Sequence, residues 1–152
     1  MTKKTGIWFY GLSGSGKTYG STLLQKKIKN SILIDGDIVR KYISYDLGFT
    51  EKDRNIQITR MLGLSKIAIN SSIFPIISTV WMNKKILKEA SNLGIKVILV
   101  ESDMREVKRR HETYKNKINV VGVNFKYEKK LNTMTITNTK DKEFWNSLKL
   151  LI

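Results

Sequence analysis

Residues 6–18 read Gly-Ile-Trp-Phe-Tyr-Gly-Leu-Ser-Gly-Ser-Gly-Lys-Thr, and this stretch decides the fold. Residues 11–18 fit the pattern G-x-x-x-x-G-K-[ST] without a mismatch, and the apolar run 7–10 precedes them. A buried strand must deliver such a loop, and a helix must leave it, for backbone N–H groups to converge on phosphate oxygens. Gly14 and Gly16 lack a Cβ, so the chain can take unusual φ values and let an anion approach closely. A helix starting near Lys17 points unsatisfied N–H groups and its positive dipole end at the same anion. Gly11, Ser13, Gly14, Ser15, Gly16, Lys17 and Thr18 therefore read as a cradle for the phosphates of ATP. Lys17 would bridge the β- and γ-phosphates, and Thr18 would offer its hydroxyl to Mg²⁺.

Outward from the loop, strands are expected at 31–34, 76–81, 95–100 and 133–138, besides 7–10. Helices are expected at 18–29, 37–45, from Thr50 through Ile69, 83–93, 103–114 and 141–151. Asp37 reads as the N-cap of the second helix, and Thr50 with Asp53 as a capping box opening the third. Ile58, Met61, Leu62, Ser65, Ala68 and Ile69 recur at helical spacing and predict a core-facing stripe. Pro75 is tolerable at the start of the third strand, where its missing N–H falls outside the ladder. Phe144, Trp145, Leu148 and Leu151 predict an inward face on the last helix. Strands alternating with helices mean an α/β fold, a P-loop nucleoside-triphosphate hydrolase-type sandwich. Its mainly parallel five-stranded sheet would carry helices on both faces. No linker or repeat interrupts it, so residues 1–152 read as one domain.

The chain has 152 residues, 41% hydrophobic and 27% charged, a globular composition. No apolar run approaches a bilayer span and no signal peptide is evident, which favours a cytoplasmic protein without membrane contact. Zero cysteines exclude disulfides, thiolate metal sites and a Cys nucleophile. His111 is the only histidine, which excludes a multi-His metal site. The net charge of +15 would suit a nucleic-acid binder. Yet the lysines are scattered over solvent faces of helices, and an anionic nucleotide substrate explains a positive cleft equally well.

A phosphate loop does not say what becomes of the γ-phosphate. The second signal is Asp35-Gly-Asp-Ile-Val-Arg40, just past the carboxyl end of the second strand and, on this reading, beside the end of the first. A carboxylate there can take the proton of an attacking hydroxyl, and Arg40 can fork onto an anionic acceptor. With the loop, this segment and Asp46-Leu-Gly-Phe-Thr-Glu-Lys-Asp-Arg-Asn55, the chain resembles the adenylylsulfate kinases. That family transfers the γ-phosphate of ATP, with Mg²⁺, to the 3′-hydroxyl of adenosine 5′-phosphosulfate. The resemblance implies that Asp37 is the base and that Arg40 and Arg54 grip the acceptor's sulfate and phosphate. Phe49 would stack on the acceptor base, and Gln57 stands where the family has an acceptor-contacting Asn. The basic stretch around Arg110, within a lid-like segment about 103–124, is similar to the lid that closes over ATP. Such a lid would exclude water from the transfer. Members are commonly dimers, so a homodimer is implied.

The chain departs from the family at Gln57, at Val80-Trp-Met-Asn83, in the lid, and at Val120-Val-Gly-Val-Asn124, which lacks the second stacking aromatic. Losing one face of an aromatic clamp forfeits about 1–3 kcal/mol of stacking, which a purine misses more than a pyrimidine. A sister reading is therefore cytidine diphosphoramidate kinase, which acts in capsular polysaccharide decoration. Readings of a different class are a non-catalytic P-loop nucleotide-binding switch and a nucleic-acid-binding protein.

Overall fold

The computed structural model describes residues 3–115, 118–124, 131, 133–138 and 142–151; for Met104, Glu106, Arg110, Trp145 and Lys149 it describes the backbone alone. Five strands, β1 (Gly6–Tyr10), β2 (Ser31–Asp35), β3 (Phe74–Thr79), β4 (Ile95–Glu101) and β5 (Met134–Thr137), form one sheet in the order β2-β3-β1-β4-β5. Every pairing is parallel. Parallel neighbours require crossovers, and the intervening helices are α1 (Lys17–Lys27), α2 (Gly36–Tyr42), α3 (Glu51–Asn70), α4 (Lys84–Asn92) and α5 (Met104–Arg110). A 3₁₀ turn (Glu112–Lys115) follows α5, and α6 (Lys142–Lys149) follows β5.

The central strand shows why both faces are covered. All five residues of β1 are buried, and alternate side chains enter opposite layers. Trp8 and Tyr10 join Ile58, Met61, Leu62 and Ile86 from α3 and α4. Ile7 and Phe9 join Leu24 of α1 and Phe144 and Leu148 of α6. The predicted stripe on α3 is buried at Ile58, Met61, Leu62, Ser65 and Ala68, with Ile69 packed at its margin. On α6, Phe144, Leu148 and Leu151 are inward as expected, and the Trp145 side chain lies outside the described residues.

Three local expectations need correction. The third strand begins at Phe74 and ends at Thr79, so Pro75 is its second residue and Trp81 lies beyond it. The missing Pro75 N–H does no harm because it falls ahead of Ile7↔Ile76, the first register pair between β1 and β3. The 103–114 helix breaks at His111, whose extended backbone (ψ 124) separates α5 from the 3₁₀ turn. Finally, β2 does not lie beside β1, because β3 lies between them. That insertion separates the loop after β1 from the segment after β2 by two strand spacings, about 10 Å. The carboxyl end of β3 floors the gap.

Candidate active site

The loop after β1 is shaped by its glycines and by what packs beneath it. Gly14 (φ 83) and Gly16 (φ 98) occupy the left-handed region. A Cβ on Gly16 would meet Asn138 Nδ2 at 2.0 Å. Asn138, just beyond β5, donates to the Ser15 carbonyl at 3.1 Å and so braces the loop from below. No side chain caps α1, which leaves its first N–H groups for an anion. Ser13, Gly14, Lys17 and Thr18 line a cleft of about 750 Å³, whereas Gly11, Ser15 and Gly16 shape the loop from behind. Ser15 is fully buried and its hydroxyl has no partner among the described residues.

Lys17 is only 8% exposed. Its Nζ donates to the Leu12 carbonyl at 2.9 Å, which leaves the ammonium's other donors for phosphate oxygens. Burial pulls its pKa down to about 8 from 10.5, against the opposing pull of Asp37 and then Asp35. The Asp37 charge reaches Lys17 because both open into the same cleft.

Asp35, and not Asp37, is the N-cap of α2. Its Oδ1 accepts from the Asp37 N–H at 3.0 Å and the Ile38 N–H at 3.3 Å. Capping by the strand's last residue frees Asp37, whose side chain is exposed in the cleft. Among the described residues no hydrogen bond or ion pair takes its carboxylate. Arg40, one helical turn on, donates to the Gly48 carbonyl at 2.6 Å. Burial lowers the Arg40 pKa, opposed by Asp37 and then Asp53. Its guanidinium lies over the Phe49 ring, 4.4 Å from the centroid. Arg54 lies 5.6 Å from the same ring and donates to the Phe49 and Asn119 carbonyls. The five predicted acceptor residues, Asp37, Arg40, Phe49, Arg54 and Gln57, thus line one wall, facing the loop.

The basic segment sits over the loop. A Cβ on Gly14 would meet Val107 Cγ1 at 2.5 Å and the His111 ring at 3.2 Å. Tyr114 donates its hydroxyl to the Ser13 carbonyl at 2.7 Å, and burial pushes its pKa up to about 12. Arg110 closes α5, but its side chain lies outside the described residues, so its expected ATP contact has no geometry here. Sequence reasoning singled out neither Asn138 nor Asn119, which come from 123 and 65 residues away, and gave Tyr114 only as part of the lid-like segment. It also gave no role to Asn55, whose side-chain Oδ1 accepts from Trp81 Nε1 and Asn83 Nδ2, each at 2.8 Å. No local signal marks Asn138 or Asn119, whose partners Ser15 and Arg54 are remote in the chain.

The donor set fits a hard cation shared with phosphate. Among the described residues no three His, Cys, Asp or Glu side chains cluster as a metal cage. The Thr18 hydroxyl and Asp37 carboxylate are oxygen donors on one cleft, the low protein-ligand count that Mg²⁺ tolerates beside phosphates and water. No helix among the described residues is long and apolar enough to cross a membrane.

A parallel sheet with a phosphate loop after its central strand, and a carboxylate opening into the same cleft two strands away, defines the P-loop kinase class. Within that class the chain belongs to the adenylylsulphate kinase family, whose model matches residues 3–136. It is 38% identical over 91 residues to the adenylyl-sulfate kinase of Bacteroides thetaiotaomicron, covering 57% of this chain and 45% of that protein. With the adenylyl-sulfate kinase of Bacteroides fragilis it shares 34% identity over 115 residues, 67% of this chain and 57% of that protein. The matched stretch therefore spans about half the length of these relatives. Among solved structures, APE1195 superposes with a TM-score of 0.78 at 25% identity, covering 99% of this chain and 94% of that one. The Mycobacterium tuberculosis APS kinase CysC in complex with AMPPNP and APS gives a TM-score of 0.76 at 20% identity, covering 98% of both chains.

Proposed function

We propose that the protein is an ATP-dependent kinase that phosphorylates the 3′-hydroxyl of a nucleotide carrying an anionic 5′ substituent, adenosine 5′-phosphosulfate in the leading case. One observation carries the reading: Lys17 and Asp37, whose carboxylate has no partner among the described residues, face a common cleft from strands separated by β3. Family membership and the relatives' activity support it.

In this reading the loop N–H groups and Lys17 hold the triphosphate, and Arg40 and Arg54 hold the acceptor's anionic groups. Both arginines donate to backbone carbonyls in the free molecule, so acceptor binding redirects donors that are already ordered. Asp37 accepts the 3′-hydroxyl proton while that oxygen bonds to the γ-phosphorus. The bond from γ-phosphorus to the β,γ-bridging oxygen breaks, and ADP leaves. The Thr18 hydroxyl would hold Mg²⁺, which would supply neutralisation of the charge that develops as ADP leaves. Segment 103–124, with Val107, His111 and Tyr114 over the loop, acts as the lid that keeps water from the γ-phosphate.

The test is acceptor-dependent ADP release, with adenosine 5′-phosphosulfate and cytidine diphosphate derivatives run side by side. Asp37→Asn is expected to keep ATP affinity while turnover falls on the order of a hundredfold or more, the scale of a lost general base. Undiminished turnover would reduce Asp37 to a bystander. Turnover with the cytidine compounds alone would move the acceptor assignment to the sister activity and leave the chemistry intact.

A further inference from the structure

Gln57 is 4% exposed, deep in α3 where the acceptor wall meets α2. Its Nε2 donates to the backbone carbonyl of Gly36 at 3.0 Å. Gly36 is the first residue of α2 and directly precedes Asp37. On its other side Gly36 backs onto β3, where a Cβ would meet the Ser78 carbonyl at 3.3 Å. The opening turn of α2 is therefore pinned between β3 and α3. It needs pinning, because a helix of seven residues is too short to hold itself in water. The Gln57 amide also leaves its Oε1 buried without a partner among the described residues.

We infer that Gln57 is a positioning residue for Asp37: its amide clamps the Gly36 carbonyl and so fixes the direction in which the neighbouring carboxylate enters the cleft. Gln57 thereby acts through the backbone and not by touching the acceptor. The kinetic consequence rests on the kinase reading above; the clamp itself does not. Length is the decisive property, since removing one methylene withdraws the amide by roughly one C–C bond, ~1.5 Å, and breaks the contact.

Three variants test it: Gln57→Met, which keeps length without a donor; Gln57→Glu, which sets a carboxylate against the Gly36 carbonyl; and Gln57→Asn, which shortens the reach. Hydrogen exchange in the α2 peptide of the ligand-free protein is expected to accelerate in all three, with Tm near wild type. In acceptor-dependent turnover kcat should fall roughly 10- to 100-fold, the scale of a misplaced reacting group, while KM for ATP and for acceptor stays within about twofold. Unchanged α2 exchange in a folded Gln57→Met protein overturns the clamp. A raised acceptor KM at constant kcat also overturns it, by making Gln57 a direct contact. Should Gln57→Met fail to fold, Gln57→Asn decides by the same two readouts. Absent turnover in the wild type defeats the kinase reading alone, and the exchange measurement still decides the clamp.

Discussion

Lys17 shows how a single buried charge becomes a measurable coupling. Burial holds its pKa at about 8 in the free protein, below the ordinary 10.5. The sign follows directly. A depressed lysine binds fewer protons folded than unfolded between those two values, so stability rises with pH across that window. Phosphate oxygens favour the ammonium and reverse the depression. Nucleotide affinity should therefore weaken as pH climbs through about 8. Binding at that pH should take up roughly half a proton, the fraction of Lys17 then neutral. Calorimetry in two buffers of different ionisation enthalpy reads the proton count, and Lys17→Met should abolish it. A buffer-independent enthalpy would show that Lys17 is already charged. At this scale much of the site was legible: Gly14, Lys17, Asp37 and Arg40 follow from motif spacing, and Arg54 from the family resemblance. The exchange of roles between Asp35 and Asp37 was not. Either Asp can cap a helix, and only the strand's end point decides which one does.

At the scale of elements, the basic segment formed by α5 and the 3₁₀ turn is the part whose form the sequence concealed. Lys108 to Lys115 contains neither glycine nor proline, so nothing local marks the break at His111. The break follows from packing, since Val107 and His111 sit on Gly14 and Tyr114 must turn back to reach Ser13. Tyr114→Phe keeps the ring and deletes the hydroxyl. It should destabilise the protein by about 1 kcal/mol, the net worth of one hydrogen bond. Limited trypsinolysis at Arg109 and Lys115 should become several-fold faster, as local opening becomes easier. Cleavage at the wild-type rate would mean that the hydroxyl does not latch the segment. By contrast, two helix starts were read correctly. Thr50 accepts from the Asp53 N–H at 3.1 Å, and Asn83 caps α4 through the Ile86 N–H at 2.9 Å. Such caps involve residues three apart, well within what a sequence displays.

For the whole molecule, the net charge of +15 supplies a long-range field that no single contact describes. Lys26, Lys27, Lys84, Lys85 and Lys88 are exposed on α1 and α4, away from the cleft. Their contribution to nucleotide capture is steering, which salt screens over a Debye length of about 10 Å at 0.1 M. Stopped-flow association of ATP should therefore slow several-fold between about 0.05 and 0.5 M salt, with the dissociation rate nearly constant. A salt-insensitive association rate would leave the surplus charge without a role in capture.

What the sequence alone determined is everything set by neighbours a few residues apart: the phosphate loop, the alternation of buried strands with helices, and the cap on α3. The tertiary structure alone decided that β3 separates β1 from β2, which opens the space between Lys17 and Asp37. It also brought Asn138 to Ser15, Tyr114 to Ser13 and Asn119 to Arg54. Periodicity records which face of an element is apolar. Which element covers that face is chosen by packing all the layers at once, and no stretch of chain carries that choice by itself.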